Sequence, residues 1–290
     1  MPASDAHLLE RELVKRVLER LGIPLEAEPT TEGLRRVYAA WCEQVPFDNV
    51  RKMIHVHSRS TLKLPGSMAA DYFKDWLHHG TGGTCWAGAG ALHALLSAMG
   101  FHTERALGTM LVAPDLAPNH GSVLVRIGHE NFLLDTSILH HEPLLMLKSW
   151  ETCIDHPAWG IRCYDRGGRW HIQWRPLHKP DGFECRFESF GISDDEYQAR
   201  YDQTRGWSPF NYQVCARRNC GDEVIGLAFG NFIKFRADGS VITTPLDDAG
   251  RRRVLIEDFG MSQEIIDLLP PDSPTPPPPG SRTAANSQAR

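Results

Sequence analysis

At 290 residues the chain is long enough to bury a large core and to divide into one to three structural units. It carries 41% hydrophobic and 23% charged residues, and its formal net charge of -5, without a basic stripe to neutralise phosphates, argues against a general nucleic-acid binder. No apolar run approaches the roughly 20 residues of a membrane helix, Met1 to Leu21 is too charged for a secretory signal, and the seven cysteines show no framework spacing, so reduced thiols in a cytoplasm are expected.

Residues 5–21 read as a helix with Leu9, Leu13, Val17 and Leu21 on one stripe and Ser4 or Asp5 as N-cap, ended by Gly22-Ile23-Pro24. A second helix is expected after Thr30-Thr31, with Leu34, Val37, Tyr38, Trp41 and Cys42 inward, stopping before Pro46. Val45 to Val50 then form a packed turn whose Asp48 and Asn49 side chains point inward or at backbone. Residues 51–66 show no clear period. Ser67 is expected to cap a third helix through His79, with Tyr72, Phe73, Trp76 and Leu77 on its apolar face. A fourth starts near Cys85 and carries Leu92, Leu95, Leu96 and Met99 before Gly100. Beyond Gly100 the period shortens. Strands are expected at 105–112, 121–127, 131–135, 162–165, 170–175 and 183–190, with Arg166-Gly167-Gly168-Arg169 as a hairpin turn. Short antiparallel strands of this kind suggest a sandwich or small barrel. Ser193 opens a polar helix to about Gln203. Strands near 211–218, 223–228, 231–236 and 240–244 follow, with Asp238-Gly239 as a turn, and then helices around 247–258 and 262–269. Arg251-Arg252-Arg253 reads as a solvated helix face. From Pro270 the Pro/Ser/Ala/Asn-rich tail is expected to stay unordered.

The stretch Gly80-Thr81-Gly82-Gly83-Thr84-Cys85-Trp86 carries the chemistry. It places Cys85 in the first turn of a buried helix, where unpaired N–H groups and the helix dipole favour thiolate over thiol. A cysteine nucleophile needs an imidazole, and the imidazole needs an orienting acid. If Gly128-His129 is a two-residue turn, Ile127 pairs with Glu130 and paired numbers sum to 257. His120 then faces Ser137, and Asp135 is its diagonal neighbour on the same face, roughly 7–8 Å away at Cα. Each residue alone has a structural explanation: a strand-end histidine, a turn aspartate, a buried cysteine. Their combination favours catalysis. The groups His55/His57, His78/His79 and His140/His141 lack a carboxylate or cysteine at metal-ligand spacing, and Cys215 and Cys220 lack a second pair, so no metal is assigned.

These segments together resemble the arylamine N-acetyltransferase family, from about Leu8 to Leu269. Val45-Pro46-Phe47-Asp48-Asn49-Val50 resembles its P-F-E-N-L turn, and Gly82-Gly83-Thr84-Cys85 its R-G-G-x-C nucleophile motif. Asn119-His120 with Val123 and Val125 resembles its histidine strand, Phe132-Leu133-Leu134-Asp135 its V-D segment, and Trp207-Ser208-Pro209-Phe210-Asn211 its S-x-F motif. The resemblance implies an α+β fold in a cysteine-protease-like arrangement. An N-terminal helical bundle (1–100) would carry the nucleophile, a central antiparallel β-barrel (101–192) the histidine and aspartate, and an α/β lid (193–269) would precede the tail (270–290). It also implies a Cys85–His120–Asp135 triad, Ser208 and Phe210 as cofactor-binding residues, and ping-pong acyl transfer. The donor would be an acyl thioester such as acetyl-CoA, used as co-substrate with no tightly bound cofactor, and the acceptor a small-molecule amine. Three departures stand out. Thr81 replaces the family's arginine and leaves Asp48 without its cation. Ala87 and Ala89 replace Glu or Gln and Asn, and Thr136-Ser137-Ile138 replaces Gly-Phe-Gly. They keep open an amide synthase fed by an acyl carrier protein, a thioester hydrolase and a non-catalytic scaffold.

Overall fold

The computed structural model describes residues 9–25, 27–112, 116–179 and 181–279. Helix α1 (Arg11–Leu21) buries Leu13, Val14, Val17, Leu18 and Leu21 and ends at Gly22 in the left-handed region. It starts after Glu10, and the expected start at residue 5, with its caps Ser4 and Asp5, lies outside the described residues. Helix α2 (Thr31–Gln44), capped by Thr30 Oγ1 accepting from Gly33 N, buries the expected stripe from Leu34 to Cys42. The strand β1 (Phe47–Asp48) follows, then α3 (Val50–His57), α4 (Ala69–His79) and α5 (Cys85–Ala98). Helix α3 occupies part of the stretch without visible period. Its buried residues are Val50, Lys52 and Met53, so an inward position is held by a lysine and the apolar stripe is broken. The Cys85 helix is therefore the fifth, not the fourth. It is apolar nearly all round, as a central helix is. Helix α4 begins at Ala69 after Met68, without the expected serine cap.

Strands β2 (His102–Met110), β3 (His120–Ile127), β4 (Glu130–Leu134), β5 (Leu144–Leu145), β6 (Thr152–Ile154), β7 (Ile161–Arg166), β8 (Arg169–Trp174) and β9 (Phe183–Phe190) form one antiparallel sheet in the order β5-β4-β3-β2-β9-β8-β7-β6. Thr152 Oγ1 donates to Leu145 O across the two edges, so the sheet nearly closes into a barrel. Period two sorts the side chains. Leu124 and Leu133 fill the barrel, whereas Val123, Val125, Phe132 and Leu134 face the core shared with α5. The β3–β4 register pairs Ile127 with Glu130 and Val123 with Leu134, the expected alignment.

Helix α6 (Asp194–Gln203) is capped by Ser193 Oγ accepting from Glu196 N. The strand expected from residue 211 starts later, because Pro209–Asn211 form a 3-10 turn capped by Ser208. Strands β10 (Ala216–Cys220), β11 (Glu223–Ala228), β12 (Asn231–Phe235) and β13 (Val241–Pro245) form a second sheet, with α7 (Asp248–Glu257) and α8 (Gln263–Asp267) packed against it. One of its two edge strands is β1, contributed by the first hundred residues through Phe47↔Arg217 and Asp48↔Ala216. The architecture is mixed α and β, as expected.

Two surface expectations fail. Arg251 is buried, pairs with Asp248 and Asp272, and is not solvated. Arg252 reaches Ile266 O and Leu269 O. The tail is not unordered over 270–279: Asp272 Oδ1 accepts from Val214 N at 2.8 Å, Ser273 N donates to Tyr212 O at 2.8 Å, and Pro276 O accepts from Trp207 Nε1 at 3.0 Å. Local composition predicts poor self-association but does not see these partners. Residues 280–290 lie outside the described residues. Among the described residues no helix is long and apolar enough to cross a membrane, and the seven cysteines are free thiols.

Candidate active site

Gly80, at φ 72°, ends α4, and the chain then runs beside β1 before α5 begins at Cys85. Asp48 N donates to Gly83 O at 3.2 Å, and Gly82 N donates to Asp48 Oδ2 at 2.6 Å. A Cβ at Gly82 would lie 1.8 Å from Pro46 O, so this approach admits glycine alone. Two further glycines let the barrel close on α5. A Cβ at Gly88 would meet Thr136 Oγ1 at 2.7 Å, and one at Gly121 would meet Trp86 Cε3 of α5 at 3.1 Å, besides Tyr197 Oη of α6 at 2.6 Å. The start of α5 is thereby held next to the turn after β4 and to the beginning of β3.

His120 opens β3, and Asp135 follows the last residue of β4 at the same end of the hairpin. His120 Nε2 lies 2.5 Å from Asp135 Oδ2, which leaves Nδ1 of the ring for its other neighbour, Cys85. All three are buried, with Cys85 5%, His120 1% and Asp135 0% exposed. Burial by itself would push the imidazolium down. The charges of Asp135 and Cys85 and their hydrogen bonds outweigh it and hold His120 up, at about 10. Asp135 is likewise pushed up by burial, but His120 and the surrounding donors hold it well below the usual carboxylate range. The arrangement can therefore carry a thiolate beside an imidazolium, the latter fixed by a carboxylate.

Sequence reasoning missed the supports of this carboxylate. Asp135 Oδ2 also accepts from Ser122 Oγ at 2.5 Å. Its Oδ1 accepts from Ser137 N at 2.9 Å, Ser137 Oγ at 2.8 Å and Ile138 N at 3.0 Å. The tripeptide Thr136-Ser137-Ile138 is thus the turn that grips Asp135. The Tyr38 hydroxyl donates to Asp135 O at 2.8 Å and accepts from Asp135 N at 3.1 Å. Ser122 had a visible signal: the register summing to 257 sets it directly opposite Asp135. Tyr38 had none, because its helical spacing marks it only as core.

The departures at Thr81 and Ala87 resolve locally. Asp48 lacks an arginine at position 81 but is not left bare. Val50 N and Gly82 N donate to its two oxygens, and Arg51 is a charged neighbour; burial still pushes it up to about 6. Ala87 fits because Gly66 and Gly83 close over it, with virtual Cβ atoms 2.8 and 2.9 Å from its own. Ser208 Oγ accepts from Phe210 N at 3.3 Å, and the Phe210 ring meets Phe47 edge-on at 5.3 Å, on the border of the core that holds Cys85. Among the other histidines, His171 meets Glu184 at 3.0 Å, but its remaining charged neighbours are arginines. His78 and His79 acquire a tertiary carboxylate, Glu264, with ligand atoms within 4.8 Å at an exposed place outside this cluster.

The family model described as N-acetyltransferase matches residues 30–267. No curated protein sequence matches the chain. Among solved structures, the arylamine N-acetyltransferase from Mycobacterium abscessus superposes with a TM-score of 0.75 at 19% identity, covering 92% of this chain and 97% of that one. The Nocardia farcinica arylamine N-acetyltransferase gives 0.75 at 20% identity, covering 92% and 96%. The Mycobacterium marinum enzyme in complex with CoA gives 0.75 at 18% identity, covering 88% and 94%. At such identities the structures speak for the fold, and the family model, spanning most of the chain, speaks for descent. The chain belongs to the N-acetyltransferase family and is an enzyme that transfers an acyl group to an amine.

Proposed function

We propose that the enzyme works by a ping-pong mechanism with Cys85 as nucleophile, His120 as proton shuttle and Asp135 as orienting acid. An acyl-CoA, acetyl-CoA in the simplest case, is the donor, and a small-molecule amine is the acceptor. The observation that carries this reading is a single buried imidazole that is hydrogen-bonded to Asp135 and neighbours Cys85, with Cys85 at the first residue of a helix. The Cys85 sulfur attacks the thioester carbonyl. N–H groups in the first turn of α5 lack intrahelical acceptors and face the developing oxyanion. Collapse leaves a Cys85 thioester and expels the CoA sulfur, which takes the proton of the His120 imidazolium. In the second half the amine nitrogen attacks that thioester, His120 takes the nitrogen's proton, and Cys85 leaves as thiolate.

The donor assignment is supported by the CoA complex of the M. marinum relative. Ser208 and Phe210 are assigned to the donor side because the Phe210 ring borders the Cys85 core against Phe47. Functionally, residues 1–100 supply the nucleophile, 101–192 the base and acid, and 193–269 the cover. Free thiols throughout suit a reducing compartment, so a cytoplasmic location is proposed. Neither a carrier-protein donor nor water as acceptor nor a scaffold role has an observation in its favour.

Intact-mass measurement after incubation with acetyl-CoA is expected to show one added acetyl group. Cys85→Ala should remove it, and an aromatic amine should discharge it. Absence of an adduct from any acyl-CoA, with no alkylation preference for Cys85, would overturn the reading.

A further inference from the structure

Lys52 lies in the first turn of α3 and is 3% exposed. Its ammonium donates to Thr204 Oγ1 at 2.8 Å, and that hydroxyl donates in turn to Tyr201 O at 2.7 Å. Among the described residues no carboxylate pairs with it, and the charged group whose field reaches it is Cys85. A buried ammonium without a counter-charge is costly, and an apolar side chain of the same length would fill the space without that cost. The other charged and titratable groups around it are engaged elsewhere. Arg51 pairs with Asp75, His55 meets Arg205 at 3.0 Å, and the Tyr201 hydroxyl donates to Pro65 O at 2.7 Å. Asp48 accounts for the placement. One oxygen accepts from Val50 N at 3.0 Å, where α3 begins, and the other from Gly82 N, three residues before Cys85. A single carboxylate thus pins the first turn of α3 to the loop that delivers the nucleophile.

We propose that Lys52 is a positioning residue for the chemistry at Cys85: its ammonium is the counter-charge of the thiolate in the free enzyme and releases a proton to solvent when acylation consumes that thiolate. The inference rests on the role of Cys85 proposed above. Burial, partly opposed by the negative charge of Cys85, leaves Lys52 at about 7, so loss of that charge leaves burial unopposed and takes it lower. The steps balance. Acylation converts the Cys85 thiolate to a thioester, the departing CoA sulfur takes the His120 proton, and Lys52 Nζ gives one proton to water. Attack by the amine restores the thiolate, its proton goes to His120, and Lys52 takes one proton back. Between the two half-reactions Lys52 is neutral, so an acceptor arriving as free amine meets no repelling cation there.

Two measurements test this. Wild-type enzyme mixed with acetyl-CoA, without amine, in weakly buffered indicator solution at pH 6 should release measurably more protons per acetylated Cys85 than Lys52→Met does. The pH profile of Cys85 alkylation by iodoacetamide should move up by about 1 in Lys52→Met, an opposite charge having been removed. Lys52→Arg, which keeps its charge at every pH tested, should alkylate like wild type yet release no extra proton; it also serves if Lys52→Met fails to fold. A folded Lys52→Met with the wild-type profile, or proton release unchanged in either variant, overturns the proposal. If Cys85 is neither acetylated nor preferentially alkylated, the nucleophile assignment fails instead.

Discussion

Asp135 accepts hydrogen bonds from His120, Ser122, Ile138 and twice from Ser137, so its carboxylate is fixed on both oxygens. Asp135→Asn keeps an oxygen toward Ser137 and Ile138 but presents N–H to His120 Nε2. The imidazole must then accept there and carry its proton on Nδ1, facing Cys85, where it can no longer take one. Acylation is expected to slow on the order of 10³–10⁴-fold, while the melting temperature moves little; a stopped-flow acylation assay beside a thermal melt checks both. The pair also shapes stability against pH. His120 sits at about 10 in the folded protein, above its ordinary 6.5, so its contribution is whole below 6.5 and lost as pH rises toward 10. Asp135 is held below its ordinary 3.8, so its contribution is whole above that value and lost on further acidification. Urea midpoints at pH 5, 7 and 9.5 should fall at the alkaline end in wild type, and this fall should be smaller in Asp135→Asn. At this scale the triad was legible, because hairpin register is arithmetic. Lys52 was not, because an inward lysine on a short helix looks like a break in the pattern.

Elements in this protein meet closely where glycine allows it, and a missing side chain is a different kind of constraint from a flexible turn. Gly82→Ala places a methyl against the Pro46 carbonyl, which is backbone and cannot step aside. We expect a loss of about 2 kcal/mol or more, together with loss of Cys85 alkylation selectivity as the start of α5 shifts. Gly167→Ala is the contrast. Its φ is 64° and nothing lies within 4 Å of a Cβ there, so only the left-handed backbone is strained, costing about 1 kcal/mol. Urea denaturation of the two variants separates the cases. Strong periods made α2, α5, β9 and the β3–β4 and β7–β8 hairpins readable in the sequence. The two-residue β5 and three-residue β6 were not, being too short to show alternation and ordered by closing the barrel.

At the scale of the whole molecule, the sequence suggests three units in line, and the folded chain interleaves them. Strand β1 leaves the helical unit to edge the second sheet, and beside it Asn49 donates to Phe210 O at 2.9 Å and Gln213 O at 2.7 Å and accepts from Cys215 N at 2.8 Å. Such cross-unit bonding leaves no unit to unfold alone. The tail extends the same pattern, because Asp272 satisfies Val214 N and pairs with the buried Arg251, whose other carboxylate, Asp248, is half exposed. Ending the chain after Leu269 would strand the Val214 donor, weaken the pairing of Arg251 and free Trp207 Nε1 from Pro276 O. We expect a loss of about 2–4 kcal/mol, spread over a single transition seen alike by tryptophan fluorescence and circular dichroism. A chain ending after Pro279, which keeps every one of these contacts, sets the reference melting temperature. If the shorter chain also melts there, the contacts of Asp272 and Pro276 contribute nothing to stability, and the tail merely lies on the surface.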